Sequence, residues 1–239
     1  MKKLTLFFGI LLMISCQKEL ELVKANRTID STVVDHSPVY IFLDAKGKDT
    51  LAEVNRKNTI GTTNWIFNVD KRLPLKVAIP EIIQLQERRD KAQFHKNEEA
   101  GNFYSYTDSV QKTLAFMPFK EINYTYNSYF STIYIKENPD YHLHFQTFSV
   151  NFKLKNKVSV DGNEVEMSEL VSFLKDYTTF AGEGKRILIY LNFDERLSFD
   201  DYMKFKLGIR ALVNDHILLA PNEFIYDAIR LDKECGCLH

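Results

Sequence analysis

Apolar and polar positions alternate along this chain in short runs, and the period of each run separates strands from helices. Val39-Tyr40-Ile41-Phe42-Leu43 is a β-rich run followed by a turn signal over 44–48, and 64–69 reads as a second strand. Before them, 17–37 is polar with scattered valines and reads as a tether, which places the start of the fold at Pro38. Pro80 falls in the first turn of a helix over 79–89, where its missing N–H is harmless, with Ile82, Ile83 and Leu85 inward and a charged stretch running on through Glu99. Residues 101–118 fit either a short helix carrying Val110, Leu114 and Met117 on one face or a loop, and the aromatic, β-branched segment 124–135 reads as a strand.

The second half has a clearer pattern. Residues 142–154 alternate with a change of parity near Gln146, the mark of a bulge or of two strands. Segment 158–165 reads as a hairpin, because Asp161-Gly162-Asn163 supplies the positive backbone angles of a tight turn. Ser168 caps a short helix bearing Leu170, Val171, Phe173 and Leu174, and the continuous apolar run 187–191 reads as a buried strand. Ser198, with Asp201 three residues on, forms a capping box for a helix that turns Tyr202, Phe205, Ile209 and Leu212 inward. A closing strand over 217–219 follows, with 224–226 beyond Pro221-Asn222.

Self-comparison of the chain gives its strongest internal signal. Segment 65–75, WIFNVDKRLPL, aligns without gaps on 189–199, IYLNFDERLSF. Asn68, Asp70, Arg72 and Leu73 match Asn192, Asp194, Arg196 and Leu197 at a constant offset of 124 positions. In both copies an apolar strand ends in an Asp-charged-Arg turn and enters an amphipathic helix. Ile122 stands five residues before Asn127, as Ile217 stands before Asn222. The organisation that follows is a signal segment 1–15, a tether 16–37, a first α+β repeat 38–136, a second repeat 137–228 and a tail 229–239.

The second copy, 158–226, resembles the periplasmic domain of the ExbD/TolR family, whose order is a strand pair with a Gly turn, a short leucine-rich helix, a strand ending in Asp, a longer helix and a closing strand. Here those elements are VSVDGNEVEMSELVSFLKD, RILIYLNFDE, SFDDYMKFKLGIRAL and NDHILLAPNEF. The resemblance implies a small α+β fold that dimerises and, in some members, contacts peptidoglycan. The expected architecture is therefore α+β: two repeated small domains, each a mixed sheet with two helices packed on it. Asp194, and by the repeat Asp70, match the strand-end Asp of the family, and each is expected to cap the following turn or helix. Arg72 and Arg196 are within reach of pairing with those carboxylates and are expected to be structural or solvated. Family members that serve as motor stators carry an uncleaved transmembrane helix with a proton-conducting carboxylate. This chain has a different N-terminus, so proton-driven work is not carried over.

That N-terminus reads MKKLTLFFGILLMISC, two lysines before an apolar run too short to span roughly 30 Å of hydrocarbon, which is the form of a signal peptide. Ser15 before Cys16 resembles the bacterial lipobox, in which the cysteine is lipidated and becomes the first residue of the mature chain, although Met13 stands where Leu is usual. No Asp follows Cys16, which favours the outer membrane, and Gln17-Lys18-Glu19-Leu20-Glu21 is similar to short acidic surface-export signals but equally suits a solvated tether. Attachment would be through acyl chains alone. The 239 residues carry 31 basic and 32 acidic side chains, a net of -1, without the cationic excess that nucleic acid requires. Three cysteines are too few for a disulfide scaffold.

Candidate chemistry is sparse. Cys235, Cys237 and His239 could hold a soft metal, although in an oxidising envelope a disulfide or a plain exposed tail are the competing states. His142 and His144 would share one face of a strand, the geometry of a two-His metal edge, and exposed strand histidines explain them equally. No Gly-x-Ser-x-Gly, His-Glu-x-x-His or phosphate-cradling glycine loop occurs, so no catalytic residue and no cofactor are expected. With 18 Phe and 12 Tyr an aromatic glycan-binding surface is open, and Tyr124, Tyr126 and Tyr129 either belong to it or cover a sheet. The expectation is a non-catalytic envelope lipoprotein acting as an interaction or scaffold module, with envelope proteins or peptidoglycan as partners and a homodimer as one arrangement. The alternatives are a peptidoglycan- or glycan-binding lipoprotein and a metal-handling protein that uses the tail.

Overall fold

The structure, a computed structural model, describes residues 19–46, 49–91, 97–127, 130–181 and 184–230. The signal segment, Cys16 and the tail residues Cys235, Cys237 and His239 lie outside the described residues. The fold is α+β with two six-stranded mixed sheets. The first holds β1 (Lys24–Ala25), β2 (His36–Lys46), β3 (Asp49–Asn55), β4 (Asn64–Val69), β5 (Asn102–Asp108) and β6 (Thr113–Pro118), with helix α1 (Leu75–Asp90) crossing from β4 to β5. The second holds β7 (Asn123–Asn127), β8 (Phe145–Phe152), β9 (Lys157–Val160), β10 (Asn163–Glu166), β11 (Arg186–Asp194) and β12 (Ile217–Tyr226). Its helices are α2 (Ser131–Glu137), α3 (Pro139–His142), α4 (Leu170–Ala181) and α5 (Phe199–Ile209).

Four strands of each sheet follow one plan. The order β3-β2-β4-β5 has its counterpart in β9-β8-β11-β12. In both, the first neighbour pair is antiparallel and the next two are parallel. The additions differ: β6 pairs antiparallel with β5, whereas β7 pairs parallel with β12. The counterpart of β12 is thus β5 and not the segment around Ile122 and Asn127, because the chain changes sheets before Asn123, inside the range assigned to the first repeat.

Helix α1 buries Leu75, Ala78, Ile79, Ile82, Leu85 and Arg89, a single stripe at helical spacing. It begins at Leu75, so Pro80 lies inside it and not in its first turn, and has no N–H to give the Lys76 carbonyl four residues before it. Among the described residues the first sheet carries this one helix in place of the expected two. In the second sheet, α4 and α5 cover one face and α2 and α3 the other, with Tyr134 and Ile135 packed on Leu188, Tyr190, Ala220 and Phe224. Strand β11 is therefore covered on both faces, which is the reason for its unbroken apolar run.

Several expectations change. Segment 101–118 is the β5–β6 hairpin, because Tyr104, Tyr106, Ala115 and Met117 all enter the core and leave no period for a helix. The strand expected over 124–135 is β7 followed by α2. Strand β2 runs on to Lys46, through the expected turn, and pairs with β3. Residues 217–226 form one strand, whose register slips against β11 between Ile189 and Leu191, opposite Pro221. Ser198 and Asp201 do form a capping box, and Asp161 and Gly162 take positive φ in the β9–β10 turn. Ser168 makes no cap; it sits in a short 3-10 turn ahead of α4.

The largest departure concerns the tether. From Glu19 onward the chain lies on the first sheet: Val23 is fully buried, β1 pairs parallel with the end of β5, and Asp30 bridges to Phe116. Tyr106 bonds to the backbone of Arg27 and Ile29, and Thr28 donates to Asp108. Val23→Ala is expected to cost about 2 kcal/mol in urea unfolding, as for other truncations in a close-packed core; a residue in a free tether would give no change.

Candidate functional site

The matched Asp and Arg residues fall at one place, the junction of the two sheets. Asp70 follows β4 and Asp194 ends β11, and each carboxylate is buried, at 0% and 2% exposure. Asp70 accepts the backbone N–H of Arg72 at 3.0 Å and its Nε at 2.9 Å on Oδ1, and a terminal guanidinium nitrogen at 2.6 Å on Oδ2. Asp194 receives the same three bonds from Arg196 at 2.9, 2.9 and 2.6 Å. Each pair is a bidentate ion pair closed within its own turn.

The two turns then grip each other. The N–H of Leu75 donates to Leu197 O at 2.9 Å, and Phe199 N–H to Leu73 O at 2.8 Å. Lys76 N–H donates to Glu195 O at 2.8 Å, and Asp200 N–H to Lys71 O at 2.9 Å. Each bond has its counterpart at the repeat offset, and Pro74 and Ser198 face each other across the local two-fold. The donors are the first residues of α1 and α5, whose amides have no partner within their own helix. Each half thus caps the helix of the other, and the Asp–Arg pair fixes the turn that presents the capping carbonyls.

Asn68 and Asn192 lie within strands, away from the turns. Asn68 donates to Val39 O and Asn192 to Val150 O, at matching registers of the neighbouring strand. Asn192 is fully buried under the start of α2, bonded to Ser131, Ser149 and Asn151, whereas Asn68, with Ser105 donating to it, is only half-buried.

A second cluster at the junction was not apparent in the sequence. Lys206 Nζ lies 2.6 Å from Glu223 Oε1 with both side chains at 5% exposure or less, and donates to Tyr202 OH at 2.9 Å. Tyr202 donates to Glu223 Oε2 at 2.8 Å. Its hydroxyl also meets that of Tyr124 at 2.9 Å, and Tyr124 meets Tyr104 at 2.6 Å. The line runs from β5 through β7 to α5 and β12, so it ties the two sheets together. Burial raises all three tyrosines well above their ordinary range and keeps their protons in place; burial also lowers Lys206, against the pull of Glu223. Lys206 and Glu223 reach a groove of about 550 Å³ lined by Phe103, Pro118, Phe119, Ile122 and Leu219. The available signal was Lys206 four residues after Tyr202, on the face read as apolar.

His142 and His144 do not form a strand edge. His142 closes α3, buried, with Nδ1 on Asn138 O at 2.6 Å and Nε2 on Tyr190 OH at 2.7 Å, while His144 is exposed in the following turn. Proline at 139 starts a helical turn there and takes His142 out of the alternating pattern. Tyr124 belongs to the buried line and Tyr126 donates to Glu195, so these two serve the junction; Tyr129 lies outside the described residues. Set against family models, characterised proteins and solved structures, the chain matches none.

Burial would raise the Asp70 carboxyl, but Arg72 and the Glu21 N–H together hold it below its ordinary value. Its contribution to stability is therefore complete above about pH 4, the unfolded carboxylate value, and is lost as pH falls through the lower folded value. Asp70→Asn is expected to be about 1–2 kcal/mol less stable than the wild type at pH 7, since Arg72 is half-exposed and keeps Glu21, with the difference closing towards pH 2. Denaturant titrations across that range read it directly, and a difference independent of pH would refute the ion-pair account. For the second cluster, Glu223→Leu or Lys206→Met alone should each cost about 3 kcal/mol or more. The combination Lys206→Met with Glu223→Leu should cost less than either single change, as a double-mutant cycle would report.

Proposed function

We propose that this chain is a non-catalytic outer-membrane lipoprotein, a scaffold in an envelope assembly, built from two ExbD/TolR-like halves that arose by duplication. The observation that supports this reading best is the reciprocal clasp. Both Asp-x-Arg turns, the positions where the two copies of the internal repeat match, spend their polar groups on each other and on the paired helices. A domain of a kind that dimerises between chains would here be paired within one chain, with the homodimer made internal. The shared four-strand plan supports duplication in the same way. Among the described residues no helix is long and apolar enough to cross a membrane; the anchor in this reading is Cys16, by its resemblance to a lipobox cysteine.

Crosslinking in intact cells, followed by mass spectrometry of the anchored protein and its neighbours, tests the role. Recovery with motor or transporter components is the expected outcome. Recovery only with peptidoglycan or glycan-handling proteins would overturn the scaffold role in favour of wall binding.

A further inference from the structure

We propose that the segment after Cys16 is a docked leash that seats the clasp side of the domain on the lipid surface; this deepens the lipoprotein reading above and rests on it. The docking is continuous from the first described residue. Glu19 O accepts from Arg72, Lys71 N–H donates to Glu21 O at 2.8 Å, and Glu21 N–H points to Asp70 Oδ2 at 3.4 Å. The Glu21 carboxylate bridges Lys71 at 2.9 Å and Arg72 at 2.8 Å. Two residues further, Val23 is buried, its carbonyl accepting from Thr107, and Ala25 O accepts from Ser109. Among the described residues the second turn shows no such visitor: Glu195 stands where the first turn has Lys71 and would repel a carboxylate. The cationic pair that receives Glu21 is thus specific to the half nearest the anchor.

Covalent geometry converts this docking into a distance. A free tether over 17–37 would reach roughly 70 Å at full extension, and would average roughly 25 Å end to end. With docking from Glu19, only three peptide units separate that residue from Cys16, a limit of roughly 11 Å. That is close to one screening length at physiological salt. A lipidated Cys16 therefore keeps Glu19, Glu21, Lys71 and Arg72 near the headgroups.

The test uses the mature chain with Cys235→Ser and Cys237→Ser, coupled through Cys16 to a lipid. It is carried on a supported bilayer of phosphatidylethanolamine and phosphatidylglycerol, and neutron reflectometry reads the water gap beneath the protein. A docked leash gives a gap of roughly 10 Å that about doubles when twelve Gly and Ser residues are inserted directly after Cys16. The insertion lies outside the fold and leaves every described contact in place. A gap of roughly 25 Å that grows by only about a quarter would mean a free tether and overturn the proposal. Acylation of Cys16 in cells is read separately, from the mass of the N-terminal peptide. Its absence would remove the lipoprotein reading without altering the gap measured on the coupled lipid.

Discussion

The reciprocal hydrogen bonds between the two Asp-x-Arg turns set the terms for the rest of the molecule. A helix that follows a strand through a tight turn leaves its first amides without acceptors in its own segment. Here the acceptors for α1 are carbonyls of the turn before α5, and the reverse holds for α5. Neither helix start is satisfied until both turns are formed and in register. The ion pair inside each turn is the means: Asp holds the guanidinium and the amide of the Arg two residues on, and so fixes the direction of the carbonyls the other half needs. The two positions on the local axis are unlike. Ser198 adds a capping box with Asp201, while Pro74, with no N–H, leaves α1 to depend on the partner turn.

Around this point the two sheets share one continuous apolar core that reaches from Val39 and Phe67 to Phe193 and Ile225. Apolar packing alone tolerates many arrangements, and the buried line from Tyr104 to Glu223 narrows them. Lys206 and Glu223 gain little net stability from their pairing, because both are taken out of water, yet any misplacement strands a charge. The line includes groups from β5, β7, α5 and β12, so that penalty falls on errors in how the halves meet. The docked N-terminal segment acts on the first half in a similar way, with Val23 closing the core beside Tyr106 and Glu21 holding the first turn from outside.

Local chemistry marked those elements whose cause is local. The capping box at Ser198 and Asp201, the Asp161-Gly162 turn, the strand over 64–69 and the apolar run in β11 each follow from a few adjacent residues and are as read. The β5–β6 hairpin was hidden because Tyr104, Ser105 and Tyr106 are all buried, so the period-two signal of a half-exposed strand is missing. Pro80 drew the helix start forward, since a proline within a helix and one at its entry read alike in sequence. The tether misled for another reason: a polar segment is soluble by composition, and only the presence of Lys71, Arg72 and the end of β5 makes it a strand and a strap.

By itself the sequence determined the α+β class and the paired positions Asp70–Arg72 and Asp194–Arg196, because periodicity and self-similarity are properties of the chain alone. Only the tertiary structure decided that those pairs face one another, that Lys206 is a core residue matched by Glu223, and that the chain from Glu19 is part of the fold. Each of these depends on groups far apart in sequence meeting where water is excluded. In that setting the value of a charge or an amide is set by its partner and not by its neighbours in the chain.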